Sequence, residues 1–445
     1  MSLEAPLPES ITPSYREAFN VWLRIGLLSF GGPAGQIALM HRELVEARRW
    51  VDEARFLHGL HFCMLLPGPE AMQLATYIGW RLHGVKGGLT AGLLFVLPGF
   101  LLMTGLATAY ALFQSTHWFS AIFFGLKAAV LAIVAQALVR VARKALKDGR
   151  AYAIASLSFL ALFAFRVPFP LVILAAGLAG FLAQKHVETL VEPPMREGGS
   201  GASRTETNSV LAQGFRTLAL WGGLWLLGFG AALLAGGGLW LDLAGFFSRM
   251  AVVTFGGAYA VLAYVAQAAV ESFGWLRPGQ MIDGLALAET TPGPLILVLT
   301  FVGYLAAFQQ PGGWPPILAG LFGAALTTWV TFVPCFLWIF LGAPHVDRLR
   351  DEPRLTGALA AIGAAVVGVI LNLSLWFALQ TLFGRVGTLD AGPLAMPWPE
   401  WGTLDGRALA LAGLAFLLLF RFRRGMIATM AVCGALGAAV RLAGW

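Results

Sequence analysis

The chain of 445 residues is 58% hydrophobic and 12% charged, against about 25% charged in a soluble globular protein. Its apolar residues fall into blocks long enough for bilayer spans of roughly 20 residues, which excludes a soluble enzyme or binding domain. The formal net charge is +7, but the basic residues cluster in a few loops, which reads as membrane topology and not as a nucleic-acid surface.

Met1 to Ser14 is acidic and contains proline, without the basic start and cleavage site of a signal peptide. Thirteen apolar segments follow, near 19–40, 57–80, 87–113, 119–139, 151–165, 167–183, 215–237, 243–265, 280–305, 315–343, 357–380, 404–420 and 426–443. They predict an all-α polytopic integral membrane protein of about 13 transmembrane segments. The fifth and sixth are short enough to form one hairpin. Residues 184–213 are the one long polar stretch, with Pro193-Pro194 and Gly198-Gly199-Ser200-Gly201, and read as a flexible cytoplasmic linker. This linker separates an N-terminal unit, 1–183, of about six spans from an additional span, 214–240. A C-terminal unit, 241–445, adds about six more.

With the N-terminus cytoplasmic, four basic clusters face the cytoplasm, as the positive-inside rule asks. They are Arg140 to Arg150, the linker with Lys185, Arg196, Arg204 and Arg216, Arg348 to Arg354, and Arg421 to Arg424. The loop carrying Arg42, Arg48, Arg49 and Arg55 disagrees, unless the first segment is re-entrant. Cys63, Cys335 and Cys433 all lie in apolar stretches and match neither a disulfide framework nor a metal site. No metal and no cofactor is expected.

The chain repeats itself at an offset of 225. Between positions 24 and 69, thirteen of forty-six residues recur 225 further on, among them Arg24 as Arg249, Phe30-Gly31-Gly32 as Phe255-Gly256-Gly257, Trp50 as Trp275 and Pro67-Gly68-Pro69 as Pro292-Gly293-Pro294. Apolar composition does not produce two Gly/Pro breaks in register with a Trp and an Arg. The offset then grows to 236, where Pro98 matches Pro334 and Ala128-Ala129-Val130 matches Ala364-Ala365-Val366. Seven segments separate the two starts. Seven is odd, so the repeats have inverted topology, a pattern of secondary transporters.

A Gly pair or a Pro-Gly-Pro within a span breaks the helix. In lipid the freed backbone groups are tolerated where they are buried in protein or line a water-filled cavity. Each break also starts a half-helix whose first N–H groups are unpaired and whose dipole end is positive, an anion site in outline. Candidate ligands are therefore Ser29, Phe30, Gly31 and Gly32, Thr254, Phe255, Gly256 and Gly257, Pro67, Gly68 and Pro69, and Thr290, Thr291, Pro292, Gly293 and Pro294. Thr291 or a nearby hydroxyl is the expected cap. Lys127, mid-span, is a costly isolated cation at about 2.5–3.5 kcal/mol and is expected to face a cavity. Arg24 and Arg249 stand shortly before the two FGG breaks, as interfacial anchors or at two symmetric mouths. Glu289 precedes a break and is a candidate proton carrier. Glu70, in the first turn after a break, reads as a structural acid or a counter-ion to Lys127 or Arg24. Asp283, Asn372, Gln73 and Gln136 have weaker claims. There is no nucleotide-binding glycine loop, His-Glu-x-x-His or nucleophile elbow, so neither ATP-driven transport nor an enzyme is indicated.

The FGG…W…PGP pattern, present once per half, with Gly125-Leu126-Lys127-Ala128-Ala129-Val130 in the fourth span, resembles the long-chain members of the chromate ion transporter (CHR) superfamily. The resemblance covers nearly the whole chain apart from the linker and tails. Family motifs map onto Phe30-Gly31-Gly32-Pro33, Pro67-Gly68-Pro69, Lys127, Phe255-Gly256-Gly257 and Pro292-Gly293-Pro294. Ala258 replaces Pro33 and Leu295 replaces Glu70 in the second half, so the halves are not expected to contribute equally. The resemblance implies a multi-pass protein of the bacterial inner membrane that exports chromate and confers resistance. Its partners would be the bilayer and a small inorganic oxyanion, with room for a homodimer and no role for nucleic acid. A sulfate or other oxyanion permease is the alternative, and sequence does not separate the two.

Overall fold

A computed structural model describes residues 13–184, 204–253, 258–345, 353–392 and 394–443. The first half contains α1 (Tyr15–Leu28), α2 (Gly32–His41), α3 (Glu53–Leu65), α4 (Glu70–Phe113), α5 (His117–Ala145), α6 (Gly149–Phe163) and α7 (Phe169–Gln184). Then come α8 (Arg204–Leu234), which starts ten residues before the expected span, and the second half. That half has α9 (Leu239–Val253), α10 (Ala258–Gln267), α11 (Pro278–Thr290), α12 (Val298–Gln309), α13 (Pro316–Gly342), α14 (Pro353–Leu382), α15 (Gly406–Phe416) and α16 (Met426–Leu442). One departure from the all-helical expectation is an antiparallel hairpin of β1 (Val386–Ala391) and β2 (Leu394–Pro399) between α14 and α15.

Among the described residues, five helices are long and apolar enough to cross a membrane: α4, α5, Gly214–Leu234 of α8, α13, and Arg354–Leu382 of α14. Helix α4 is two helices in one, because His83 and Gly84 leave helical geometry and split a short arm from a long one.

The segments near 19–40, 57–80, 243–265 and 280–305 are each a pair of short helices folded back on itself. Gly59 of α3 packs on Tyr77 and Leu74 of the first arm of α4, and the Phe62 and Tyr77 rings are 5.6 Å apart. A continuous helix would hold residues 59 and 77 about 27 Å apart, at 1.5 Å per residue. In the same way Gly284 of α11 packs on Phe301 of α12, Arg24 of α1 reaches Glu43 beyond α2 at 3.8 Å, and the Phe246 ring of α9 lies 5.4 Å from Tyr264 of α10. Single arms of 10 to 15 residues reach about 15–22 Å, short of the roughly 30 Å hydrocarbon core. The first two pairs therefore have the geometry of re-entrant hairpins with FGG and PGP at their tips.

The duplication is visible in the packing. Gly79 crosses Gly87 too closely for any Cβ, and Gly303 crosses Gly323 in the same way. Thr76 lies against Gly92, and the corresponding Thr300 hydroxyl shares a hydrogen bond of 2.8 Å with Thr328. Past the PGP motif the structural offset is 224 rather than 225. A 3-10 turn, Leu295–Leu297, opens the second arm, and its longer rise per residue covers the same distance with one residue fewer.

The two halves run in opposite directions. Gly88 and Gly92 of α4 pack on Phe340 and Phe336 of α13 respectively, so these equivalent helices are antiparallel. The pairing extends to the last helices. Gly177 and Gly180 of α7 pack on Ile362 and on Gly357 and Ala361 of α14. Gly434 and Gly437 of α16 pack on Leu126 and on Gly125 and Ala121 of α5. These are equivalent contacts at an offset of 257 for the glycines and 236 for their partners. Each half thus lays its last helix on the fourth-span helix of the other, through small residues that let backbones approach.

Candidate functional site

The breaks of the two halves meet. The Gly293 N–H, in the second PGP, donates to the Ser29 carbonyl, in the first FGG region, at 2.9 Å. Gln36 Nε2 donates to the Gly293 carbonyl at 2.6 Å and to the Ser29 carbonyl at 3.3 Å. Both breaks need partners because each leaves backbone groups outside a helix, and here each satisfies the other. The long arms complete the exchange: Gly99 of α4 leaves no room for a Cβ against the Pro292 carbonyl, while a Cβ on Gly68 would stand 3.0 Å from Cys335 Sγ of α13. Gly99 and Cys335 are equivalent at offset 236. Gly68 and Gly293 have φ of 126° and 94°, a region that glycine enters freely.

Beside this junction lies a carboxylate. Glu289, in the last turn of α11, is buried and accepts from the Tyr259 hydroxyl at 3.0 Å. A Cβ on Gly32 would be 3.8 Å from that hydroxyl, so the start of α2 faces the Tyr259–Glu289 pair. Helix α2 begins on Gly31 without a side-chain cap and with Pro33 in its first turn, leaving open N–H groups and a positive dipole end. Arg140 of α5 lies within electrostatic reach of Glu289 and Tyr259, and Lys144 within reach of Glu70.

Lys127 is not an isolated cation. Its Nζ is 3.3 Å from Asp283 Oδ2, and the same oxygen accepts from the Tyr110 hydroxyl at 2.7 Å. Asp283 is 5% exposed and Lys127 28%, so the lysine is partly exposed and its counter-charge is buried. This pairing replaces the counter-ion role considered for Glu70, which instead heads α4 as its first residue.

Other expected residues have different places. The Ser29 hydroxyl donates back to the Ile25 carbonyl at 2.5 Å, so it is the Ser29 carbonyl that joins the junction. Thr291 donates to Leu287 at 2.7 Å and Thr290 to the same carbonyl at 2.9 Å. They close the end of α11 rather than capping the next helix, because Thr291 sits before the break. Arg24 is 59% exposed and pairs with Glu43, and Arg249 is exposed with its guanidinium on the Gly245 carbonyl. Both stand away from the junction contacts. Phe30 is partly buried beside it. Gln73 donates to the Pro67 carbonyl at 2.7 Å, bracing the first PGP from within its own half. Thr254, Phe255, Gly256 and Gly257 lie outside the described residues.

Sequence reasoning missed Gln36, Tyr259 and Tyr110. Only a polar residue inside an apolar segment signalled Gln36. Asp283 was legible as one of a few acids inside apolar segments, in a chain with one mid-span lysine, and such charges pair when both are in the membrane.

A sequence profile of the Chromate transporter family matches residues 16–181 and 241–438, one match per half. The chromate transport protein of Pseudomonas aeruginosa is 31% identical over 98% of this chain and 94% of its own length. The chromate transport protein of Cupriavidus metallidurans is 30% identical over 80% and 82%, and the probable chromate transport protein of Synechococcus elongatus 29% over 88% and 93%. No solved structure matches the chain. The fold thus defines a polytopic membrane transporter built from two inverted copies of one unit. The chain belongs to the chromate transporter family, in its duplicated, long form.

Proposed function

We propose that this protein is a secondary transporter that exports chromate across the bacterial inner membrane and so confers chromate resistance. The observation that carries the reading is the junction of Ser29, Gln36 and Gly293 beside the open start of α2. It is a built central site where two inverted copies meet, with a positive helix end next to the Tyr259–Glu289 pair. A tetrahedral dianion fits the unpaired N–H groups at the uncapped start of α2, and Lys127 adds a positive charge on the path.

Nine segments then cross the membrane, and four helix–break–helix pairs dip in, two from each side. The first pair returns to the cytoplasm, which places Arg42, Arg48, Arg49 and Arg55 there in agreement with the positive-inside rule. A membrane potential favours expelling the dianion by about 2.3 kcal/mol per charge per 100 mV, or roughly 4.6 kcal/mol in all. Export then needs no ATP, and Glu289 offers a route for proton coupling. The same donors suit sulfate, a near-isostere, which is the second reading.

The test is chromate uptake into inverted inner-membrane vesicles under an imposed potential without ATP. Potential-driven uptake, inhibited by neither ATP depletion nor chelators, is the expected result. Absence of uptake by folded protein, with sulfate taken up instead, would transfer the assignment to sulfate.

A further inference from the structure

A cavity of about 320 Å3 lies under the β1–β2 hairpin, at the ends of α6 and α14 remote from their basic loops. Arg166, Gln267, Asn372, Trp376, Gln380 and Thr388 are among its lining. The hairpin is fastened over it by the Ala395 N–H, which donates to the Ala164 carbonyl at 3.0 Å. Glu271, the one acid of the lining, is held by Gln267 Nε2 at 3.3 Å.

Three of these residues have counterparts in the first half. At offset 236, Asn372, Trp376 and Gln380 of α14 correspond to Gln136, Arg140 and Lys144 of α5. Four-residue spacing puts each set on one helix face. The α5 face is the one whose Arg140 and Lys144 lie within electrostatic reach of Glu289 and Glu70. Because the halves are inverted, the two faces open toward opposite sides of the membrane. One carries two cations, and the other carries an indole and an amide in their places. Arg166 is the single cation of the outer set, held at φ 51°. A non-glycine residue in that region is strained by roughly 1–2 kcal/mol, and strain of this kind gathers at functional positions.

We infer that this cavity is the release vestibule for the oxyanion, lined by the inverted counterpart of the Gln136–Arg140–Lys144 face of α5 with most of its positive charge removed. This rests on the chromate-export reading. Amide and hydroxyl donors with one guanidinium give a leaving dianion brief lodging, whereas a cationic pair would retain it. The exchange of Arg and Lys for Trp and Gln makes the two ends of the path unequal, with capture on the inside and release on the outside.

The experiment reads each face of the full-length carrier separately. Radiolabelled chromate exchange is followed in right-side-out and inverted vesicles for wild type, Gln380→Lys and Arg166→Gln. Gln380→Lys restores the first-half residue type, and the half-saturating chromate concentration at the outer face should fall at least threefold while net efflux slows. Arg166→Gln should raise it at least threefold. Neither should change the inner-face value by more than twofold. Separately, Val386→Cys, at a lining position whose side chain offers no donor, labelled before assay with a bulky charged membrane-impermeant thiol reagent, should lose at least four-fifths of its efflux while the unlabelled variant keeps it. The native cysteines Cys63, Cys335 and Cys433 are buried and supply the unreactive control.

Outer-face values within twofold of wild type in both charge variants, or full efflux from the labelled Val386→Cys protein, would overturn the vestibule while leaving chromate export intact. A wild-type protein without chromate exchange at either face would defeat the export reading and the vestibule together.

Discussion

Gly293 donates its backbone N–H to the carbonyl of Ser29 at 2.9 Å, across 264 positions of sequence and from one repeat to the other. Gln36 ties the same two residues with its amide and is itself buried. Replacing it by Leu removes both bonds and leaves a buried carbonyl one donor short, at about 1–3 kcal/mol. Gln36→Leu should therefore lower the thermal unfolding midpoint of detergent-purified protein and reduce transport more than tenfold. Unchanged stability and flux would show that the junction holds without it.

Lys127→Ala strands Asp283 without its partner. Removing one member of a buried pair costs about 3–5 kcal/mol, and the partial exposure of Lys127 puts this case at the low end. The double variant Lys127→Ala with Asp283→Ala should recover most of the stability. Flux separates the roles. If Lys127 meets the substrate, the stable double variant remains inactive. If its work ends at Asp283, the double variant transports.

Glu289→Gln keeps the size of the side chain and removes its proton chemistry. The expected outcome is chromate efflux that no longer varies with an imposed pH gradient. Tyr259→Phe, which removes the 3.0 Å hydrogen bond, should shift that dependence without abolishing it. Wild-type efflux with unaltered pH dependence in Glu289→Gln would eliminate proton coupling through this residue.

His41 lies just past the first apolar segment and bonds Glu53 at 2.5 Å and Glu46 at 3.1 Å. The hydrogen bond to Glu53 raises its pKa above the ordinary 6.5, desolvation opposes this, and the negative charges of Glu53 and Glu46 with the hydrogen bond to Glu46 add to the rise. A raised value means stability that is full below the unfolded-state pKa and is lost as pH climbs through the folded-state value. The side chain is about a quarter exposed, so the contribution is at most about 1 kcal/mol. Thermal midpoints measured from pH 5.5 to 8.5 should fall by a small step in wild type, and His41→Gln should erase that step.

Gly125 abuts the Cys433 carbonyl and the Gly434 Cα with no space for a methyl group. Gly125→Ala forces α5 and α16 apart, at about 1–3 kcal/mol for overpacking. Yield of monodisperse protein should drop sharply. The control Gly105→Ala, at a position with open space around its Cα, should be neutral.

The repeat, its breaks and its inversion were legible because Gly, Pro, Trp and Arg in register cannot arise from apolar composition. Trp50 and Trp275 are buried at equivalent places, each beside a π-helical turn, with Val51 and Leu276 bonding the equivalent carbonyls of Leu44 and Ala269. Reach across the bilayer was less legible, since a folded pair of short helices and one long helix have the same hydropathy. Parity survived the change, because a pair that returns to its own side subtracts one crossing at each of two places. The last-helix repeat was hidden because the β1–β2 insertion moved the offset again, from 236 to 257. Gln36 was invisible to repeat matching, since its counterpart is Val261, whose side chain cannot make the equivalent bond between the halves.

Helix α8 has no counterpart in the duplication, and its span Gly214–Leu234 is the least buried of the five long apolar helices, at 17%. Its contribution is parity. Without it the second copy would enter the membrane in the orientation of the first, and the interlocked tips and traded last helices could not form. Two separate half-length polypeptides would need no such adapter if each inserted in an opposite sense. One peripheral helix in the duplicated chain therefore does what two half-length chains would need opposite insertion to do, and it fixes the stoichiometry of the two orientations at one to one.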